Sequence, residues 1–278
     1  MWHKPVMPPM RFQILRCATP GATAVAARSR QSFARHSHEQ FGIGVIDSGA
    51  QRWHSGRTEV EAGFEAAIAV NAGEVHDGAP IGDGGRCWRM LYFDPPLVQA
   101  AARDLWSGAQ GEFEFARPVM PDRRVAMRVR RLLRAETEPR LAGPSPDELF
   151  LELLAMVGTR ATKGPVAVPC EIALAKARID DDPGSPAPLA ELAEIAGLGR
   201  FQLLRGFTRA TGLTPHAYLL QRRAELVRRL IARGETLAIA AVGAGFADQS
   251  HMTRCFVAKY GFSPGIYAKA FAASRSRR

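Results

Sequence analysis

The chain has 278 residues, of which 46% are hydrophobic and 23% charged, values typical of a globular protein with room for two domains. Its net charge of +10 favours a polyanionic partner, either nucleic acid or an anionic membrane. No apolar run approaches the ~20 residues of a membrane-spanning helix, and the first ten residues are not expected to be a signal peptide because they lack an apolar segment. The four scattered cysteines form no CxxC pair, which argues against a disulfide framework and a zinc finger and predicts a protein of the reducing cytoplasm.

The first 95 residues have the pattern of an all-β sandwich or small barrel. Short segments that are apolar or alternate in polarity are separated by Gly, Pro, Asp or Ser, as in FQILRCA, TAVAARS, FGIGVID, AAIAVNAG and WRMLYFD. The predicted barrel contains HSHE, with His36 and His38, and later VNAGEVHDG, with His76. Alternate residues of a strand share a face, so we expect the two histidines of HSHE on one face, with the third on a neighbouring strand.

This arrangement of histidines resembles the cupin barrel, in which HxH, a Glu and a later His bind a metal ion. Here Glu39 follows His38 directly, without the spacer of the metal-binding motif. Three interpretations remain open: a metal site, structural histidines, and the polar lining of a small-molecule pocket. We adopt the last of these and expect no metal and no other cofactor. The candidate effector-binding residues are His36, His38, Glu39, His76 and Trp88, although Trp88 also suits the core of a strand.

Residues 96–163 change to a helical pattern. PLVQAAARDLW, DRRVAMRVRRLLRAETE and SPDELFLELLAMVGTRAT place apolar residues at steps of three and four. Ser145 and Glu148 have the spacing of a capping box. Helices of this kind can pack on the barrel or against a second subunit. Residues 164–169, which include Gly and two Pro, are predicted to be a linker before a further domain at 170–273.

The predicted domain at 170–273 holds most of the positive charge and an internal repeat. From Cys170 onward there are 16 Lys+Arg and 9 Asp+Glu, a net of +7. The phrase GLTPHAY, which begins at Gly212, returns 49 residues later as GFSPGIY, which begins at Gly261. Before each phrase there is a short apolar helical pattern, a Gly (Gly197 or Gly245) and a second helical pattern. Each half of the repeat is therefore predicted to be a helix-turn-helix unit.

The repeated phrase has a mechanical explanation. Gly212 and Gly261 are expected in the left-handed conformation that ends the second helix of each unit. Thr214 and Ser263 are candidate N-caps for the next helix, and each is followed by a Pro at the first helical position. A helix over residues 216–233, ~27 Å long, joins the two units. Since one turn of B-DNA is ~34 Å, this spacer can place two second helices in successive major grooves.

The two halves of the repeat resemble the DNA-binding domain of the AraC/XylS family of bacterial transcription regulators. The resembling stretches are LAELAEIAGLGRFQLLRGFTRATGLTPHAYLLQRR and LAIAAVGAGFADQSHMTRCFVAKYGFSPGIY, which together span about 80 residues, 189–267. In this family, two helix-turn-helix units are joined by a long helix. The resemblance implies that residues 200–211 and 248–260 are recognition helices. It also implies a cupin-like domain that senses a small effector, dimerisation through residues 96–163, and contact with RNA polymerase.

The resemblance places eight residues in the major groove. They are Arg200, Phe201, Leu204 and Arg205 in the first recognition helix and Gln249, Ser250, His251 and Arg254 in the second. Because Arg pairs bidentately with guanine and Gln with adenine, the second helix offers a base-reading face. The first helix combines two arginines with two apolar residues, a set suited to thymine methyl groups or to phosphates. The other interpretation is that these are ordinary solvated helix residues.

The sequence therefore predicts an α+β multidomain protein. A cupin-like β barrel occupies residues 1–95 and is followed by helices at 96–163, and an all-α domain with two helix-turn-helix units lies at 170–273. The predicted function is sequence-specific regulation of transcription, in which a small effector in the barrel changes promoter binding or activation. The expected partners are promoter DNA, an unknown effector, RNA polymerase and a second copy of the chain, with no membrane. The alternative is a metal-dependent cupin enzyme, a dioxygenase or isomerase, with an accessory helical domain.

Overall fold

A computed structural model describes residues 11–56, 58–106, 111–138, 143–161 and 168–272. The chain divides into two compact units, Met1–Ser32 with His38–Ala161 and Phe33–Ser37 with Thr162–Arg278. Strands dominate the first unit and helices the second, which confirms the predicted fold class. Most of the predicted linker, residues 164–167, lies outside the described residues.

The N-terminal part of the chain forms short strands. They are β1 (Arg11–Arg16), β2 (Ala22–Ser29), β3 (Phe33–His36), β4 (Phe41–Ser48), β5 (Gln51–Ser55), β6 (Thr58–Ala62), β7 (Ala67–Val70), β8 (His76–Pro80) and β9 (Arg86–Phe93). After α1 (Pro95–Leu105) come β10 (Phe113–Phe115), β11 (Val119–Met120), α2 (Arg123–Thr137), α3 (Pro146–Val157) and β12 (Gly158–Arg160).

The strands pair into a larger and a smaller sheet. The six-stranded sheet has the order β1-β2-β9-β4-β7-β11, and the four-stranded sheet has the order β3-β8-β5-β6. Within the larger sheet, β9 pairs antiparallel with both β2 and β4. Strands β10 and β12 form a separate antiparallel pair.

Strand β4 reads FGIGVI without polar alternation because both of its faces are buried. On one face, Ile46 packs with Trp53 of the smaller sheet and Met90 of the larger sheet, and this contact defines the interior between the sheets. On the other face, Ile43 and Val45 pack in a cluster that includes side chains from α1, α2 and α3.

The last of the helices after the barrel strands begins at the predicted capping box, and α1, α2 and α3 pack in one cluster with residues of the larger sheet. The capping box at the start of α3 is present, because Ser145 Oγ accepts from Glu148 N at 3.2 Å and Ser145 N donates to Glu148 Oε2 at 2.8 Å. On α2, Val129 and Leu132 are fully buried. On α3, Leu149 and Leu153 are buried, whereas Met156, which follows them at helical spacing, is 45% exposed.

The C-terminal part of the chain forms helices. They are α4 (Cys170–Asp181), α5 (Leu189–Ile195), α6 (Arg200–Thr211), α7 (Pro215–Arg233), α8 (Leu237–Gly243), α9 (Gln249–Tyr260) and α10 (Pro264–Ala272). Helices α5 and α6 form the first helix-turn-helix unit, α8 and α9 form the second, and α7 joins them. Among the described residues, no helix has the length and apolar character needed to cross a membrane.

The repeated phrase closes each helix-turn-helix unit in the predicted way. Gly212 and Gly261 have φ of +75° and +80° and end α6 and α9. Thr214 Oγ1 then accepts from the backbone N–H of Ala217 at 3.2 Å, and Ser263 Oγ accepts from that of Ile266 at 3.3 Å. The two helices that follow, α7 and α10, therefore start with the same type of cap.

Candidate DNA-binding surface and effector site

Helix α6, the predicted first recognition helix, presents a face that is both apolar and basic. Arg200, Phe201 and Arg205 are exposed, and Leu204 is half-buried. Phe201 is 68% exposed, and the guanidinium carbon of Arg205 lies 5.5 Å from the centre of its ring. On the opposite side of the helix, Phe207 is fully buried in the core of the first unit. The helix is thus anchored from behind and offers its predicted reading face to a partner.

Helix α9, the predicted second recognition helix, presents a polar face. Gln249, Ser250 and Arg254 are exposed. His251 is half-buried, and its ring packs edge-on against Phe246 with 5.3 Å between the ring centres. Three of the four predicted residues are therefore open to a partner, and His251 is held partly by the protein itself.

Asp248 fixes the start of α9. The family resemblance implied that this residue lies inside the helix, whereas the structure places it at the N-cap position. Its Oδ1 accepts a hydrogen bond from the backbone N–H of His251 at 2.6 Å. This hydrogen bond is the main cause of the lowered pKa of the exposed Asp248 carboxyl group. In α6 the cap is different, because the backbone N–H of Gly199 donates to Oε1 of Gln202 at 3.0 Å.

The predicted effector-binding histidines meet as a buried group. The candidate ligand nitrogens of His36, His38 and His76 all lie within 4.8 Å of one another. The His38 ring lies 5.1 Å from that of His76 and 5.3 Å from that of Tyr92. Burial raises the pKa of Tyr92 to about 12, so its hydroxyl group stays protonated even in moderately alkaline solution.

Backbone contacts orient two of these rings. His36 Nδ1 lies 2.8 Å from the carbonyl oxygen of Ala34, and His76 Nδ1 lies 3.0 Å from that of Glu74. Because a carbonyl oxygen only accepts, each Nδ1 carries the proton, and in a neutral ring Nε2 is left as an acceptor or metal ligand. The three histidines could hold a transition metal. In the described part of the chain, no carboxylate oxygen joins their group, and the half-buried Glu39 does not complete it.

Arg86 is a second buried polar group of the strands, and the sequence pattern did not single it out. It is 2% exposed, its Nε donates to Oε1 of Gln51 at 2.9 Å, and its Nη1 donates to the carbonyl oxygen of Gln31 at 3.2 Å. The guanidinium carbon lies 4.8 Å from the centre of the Trp88 ring. Burial lowers the pKa of Arg86 to about 10. The predicted residue Trp88 therefore contacts a buried cation as well as the apolar interior.

Two protein families match the chain over most of its length. Residues 19–155 match the AraC-like ligand binding domain, and residues 192–270 match a helix-turn-helix domain. The HTH-type transcriptional regulator YbfI of Bacillus subtilis is 25% identical over 233 residues, which cover 80% of this chain and 82% of that protein. The probable transcriptional regulator LumQ of Photobacterium leiognathi is 39% identical over 80 residues, which cover 28% of this chain and 32% of that protein.

The fold is also found among solved structures. ToxT of Vibrio cholerae O395 superposes with a TM-score of 0.55 at 13% identity, covering 94% of this chain and 98% of that one. ToxT with a bound unsaturated fatty acid gives a TM-score of 0.55 at 11% identity, covering 96% of this chain and 99% of that one. At these identities the likeness shows the fold alone. With an AraC-like ligand-binding domain followed by a double helix-turn-helix domain, the chain belongs to the AraC/XylS family of transcription regulators.

Proposed function

We propose that this regulator binds promoter DNA sequence-specifically through α6 and α9, and that a small effector held by the N-terminal barrel controls this binding. The observation that supports the DNA-binding part of the proposal is that the same helix-turn-helix arrangement occurs twice. In both units, a buried face anchors the second helix and leaves hydrogen-bonding side chains exposed on the other face. Charge alone would not require matched glycines, caps and prolines.

The two recognition helices supply different chemistry at matching positions. At an offset of 49 residues, Arg200 corresponds to Gln249, Phe201 to Ser250, and Arg205 to Arg254. Arginine at the shared position suits guanine, whereas the amide of Gln249 suits adenine and the exposed ring of Phe201 suits a thymine methyl group. We therefore propose a DNA site made of two blocks with different sequences.

Selection of DNA from a random pool tests this proposal. The full chain is incubated with random-sequence duplexes at moderate salt, and the bound fraction is amplified and sequenced over several rounds. We expect two short enriched blocks separated by about one turn of B-DNA, because recognition helices of this kind enter successive major grooves. A pool that stays random while the protein is folded and binds DNA would contradict sequence-specific recognition.

The effector part of the proposal is supported by the mixture of apolar and polar groups within the strands. Trp53 and Met90 supply apolar surface, His76 and Arg86 supply buried hydrogen-bonding groups, and the half-buried Tyr92 supplies a hydroxyl group. ToxT, which shares the fold, has been solved with an unsaturated fatty acid bound. Small apolar carboxylic acids, matched with their methyl esters, are therefore the first compounds to test by thermal shift. A compound that raises the melting temperature of the wild type and not of Tyr92→Phe or Arg86→Met supports this site.

Dimerisation and cellular context belong to the same proposal. Met127 of α2 is 53% exposed and Met156 of α3 is 45% exposed, and exposed apolar residues of this kind suit contact with a second copy. We propose that the chain dimerises through residues 96–163. Residues 1–95 sense the effector, and residues 164–169 link this half of the chain to a DNA-binding domain at 170–273. The protein acts in the cytoplasm, where it contacts RNA polymerase when it is bound to DNA.

A metal-dependent cupin enzyme remains the second candidate, since His36, His38 and His76 form a buried group with suitable ligand spacing. The enzyme hypothesis requires about one bound metal ion per chain and a catalysed reaction. The double helix-turn-helix domain favours the regulator, in which the same histidines line an effector site and no catalysis occurs.

A further inference from the structure

A row of alternating charges crosses the helical unit. It consists of Lys176 and Asp180 on α4, Arg222 and Glu225 on α7, and Lys259 on α9. Lys176 Nζ lies 2.6 Å from Asp180 Oδ2, and Arg222 Nε lies 2.9 Å from Asp180 Oδ1. One oxygen of Glu225 pairs with Nη1 of Arg222, and the other lies 2.5 Å from Lys259 Nζ.

The last pair of the row is the most deeply buried. Glu225 is 3% exposed and Lys259 is 2% exposed. Taking two charges out of water is costly, and an apolar pair of similar volume is often as stable, so stability alone is a weak reason for this pair. An ion pair adds direction, because Lys259 Nζ must meet Glu225 Oε1 and also lies 3.4 Å from the carbonyl oxygen of Gln221. These contacts fix the end of α9 at one height along α7.

The pair holds the side of α9 that faces away from the proposed reading surface. Lys259 follows Ser250 by nine residues, about two and a half helical turns, so the two side chains lie on opposite faces. At the matching position of the first unit the chain has Ala210, whose side chain cannot form an ion pair. The second recognition helix therefore has a charged anchor for which the first unit has no counterpart at the matching position.

At its other end, the row of charges contacts the residues that pack behind α6, the proposed first recognition helix. Asp180 Oδ1 accepts from the Tyr218 hydroxyl at 2.7 Å, and the Tyr218 ring packs edge-on against Phe207 of α6 with 5.5 Å between centres. On α4, Ile172 and Ile179 are buried in the same core as Phe207. A continuous set of directional contacts thus runs from the back of α6 to the back of α9.

We propose that Glu225 and Lys259 are positioning residues that fix α9 relative to α6, so that the protein selects one spacing between the two blocks of its DNA site. This inference rests on the proposed function, because it requires both helices to bind one DNA molecule. Neither residue touches DNA. Their effect is on the geometry with which Gln249, Ser250 and Arg254 reach the second groove.

The test compares DNA sites that differ only in spacing. The probes are the duplex enriched by the wild-type full chain and the same duplex with one base pair added or removed between its blocks. Lys259→Met keeps the length of the side chain and removes its charge. We expect it to bind the enriched duplex roughly 10-fold more weakly and to bind the altered spacings within roughly 2-fold of wild type, so that selectivity for spacing falls.

Two further variants separate positioning from folding and from overall charge. Arg178→Met removes one positive charge from an ion pair between α4 and α5, in which Arg178 Nε lies 2.8 Å from Glu191 Oε1, and should leave spacing selectivity unchanged. Glu225→Gln keeps the shape of the side chain and should lower spacing selectivity in the same direction as Lys259→Met. If thermal melting shows that Lys259→Met does not fold, Glu225→Gln replaces it in the test.

The outcomes are distinguishable. Equal weakening on all three spacings, or no change in their ratio in either pair variant, overturns the positioning role. A folded wild-type protein that enriches no sequence from the random pool instead overturns the proposed function, and the positioning role with it. Loss of spacing selectivity in both pair variants and not in Arg178→Met supports the inference.

Discussion

At the residue scale, Arg254 is the side chain whose loss should change sequence preference most directly. It is exposed on α9 one turn after Ser250. A bidentate contact to guanine discriminates by ~1–3 kcal/mol, whereas a phosphate contact carries no direct sequence information. We expect Arg254→Ala to weaken binding to the enriched duplex by about this amount and to relax preference at one or two base pairs. Competition against singly substituted duplexes measures this.

The matched control for that variant is Arg209→Ala. Arg209 is exposed in the last turn of α6, outside the proposed reading face, and removing it lowers the charge equally. It should weaken all duplexes alike, or none. If Arg254→Ala also weakens random DNA and the enriched duplex to the same extent, α9 does not read bases through this residue. Both variants should melt close to the wild type because both side chains are exposed.

The N-cap of α9 makes a prediction about pH. The hydrogen bond from His251 N lowers the pKa of Asp248 in the folded chain, so the ionised carboxylate adds stability above the ordinary pKa range of Asp, and this contribution is lost as the pH falls through the folded pKa. Asp248→Ala should therefore melt at a lower temperature than wild type at neutral pH, and the difference should shrink in acid. Asp248→Asn retains an N-cap acceptor and should lie closer to wild type at neutral pH. A constant difference between Asp248→Ala and wild type across the pH series would contradict the assignment.

The three histidines give a prediction about metal content. Their group contains no carboxylate oxygen among the described residues, unlike the two-histidine-one-carboxylate site of many iron oxygenases. We expect elemental analysis of the purified full chain to find well under one transition metal per chain, and chelators to leave DNA binding intact. About one tightly held iron, manganese or zinc ion, lost in His76→Ala, would favour the enzyme instead.

At the element scale, the matched glycines of the two units should respond differently to the same substitution. Gly197 and Gly245 follow the first helix of each unit with φ of +63° and +73°. A Cβ on Gly197 would meet no atom within 4 Å, whereas one on Gly245 would lie 2.0 Å from the carbonyl oxygen of Gly184. Gly197→Ala should therefore cost only the left-handed strain, ~1–2 kcal/mol, and Gly245→Ala should cost ~1–3 kcal/mol more.

Urea unfolding of each full-length variant, followed by helical circular dichroism, measures this difference. The two substitutions change helix propensity and composition in the same way, so each is the control for the other. Equal midpoints for the two variants would mean that the contact with Gly184 relaxes at little cost.

Within the first 95 residues, the strands that the sequence pattern predicted and those that it missed belong to different sheets, and the short strands β10, β11 and β12 were missed inside the region predicted to be helical. The five predicted segments correspond to β1, β2, β4, β7 and β9, all in the six-stranded sheet. That sheet is covered by helices on one face, so its strands are apolar enough to recognise. Strands β3, β5, β6 and β8 form the smaller sheet, and sequences such as TEVEA and HDGAP carry the charges, Gly and Pro that are typical of loops.

The helix boundaries of the repeat were predictable to within one or two residues because each boundary is marked by a nearby capping residue, Gly or Pro. The pairing of Glu225 with Lys259 was not, since the two residues are 34 positions apart and a charge on a helix is ordinarily solvated. The same holds for Arg86, whose partner Gln51 lies 35 positions away. The local sequence pattern predicts where a helix or strand ends. The buried polar contacts instead depend on which helices and strands lie next to each other in the fold.

At the scale of the whole molecule, the oligomeric state should depend on the helices after the barrel. Met127 of α2 is 53% exposed, and a charge there would be buried in an interface that covers it. We expect sedimentation of the wild-type full chain to show a dimer and Met127→Glu to shift it toward the monomer. Ile239→Glu, at a residue of α8 that is 54% exposed, is the matched control and should leave the dimer intact. A wild-type monomer at all accessible concentrations would contradict dimerisation.

The different faces of α6 and α9 give the bound protein a polarity along the double helix. In the proposed complex, one chain places Arg200 and Phe201 at one end of the DNA site and Gln249 and Ser250 at the other. Its DNA site is then asymmetric and has a defined orientation. Inverting that site in a promoter would preserve base composition and affinity but would turn the protein to point upstream rather than downstream. Two copies could also occupy neighbouring sites head to tail, without a palindrome.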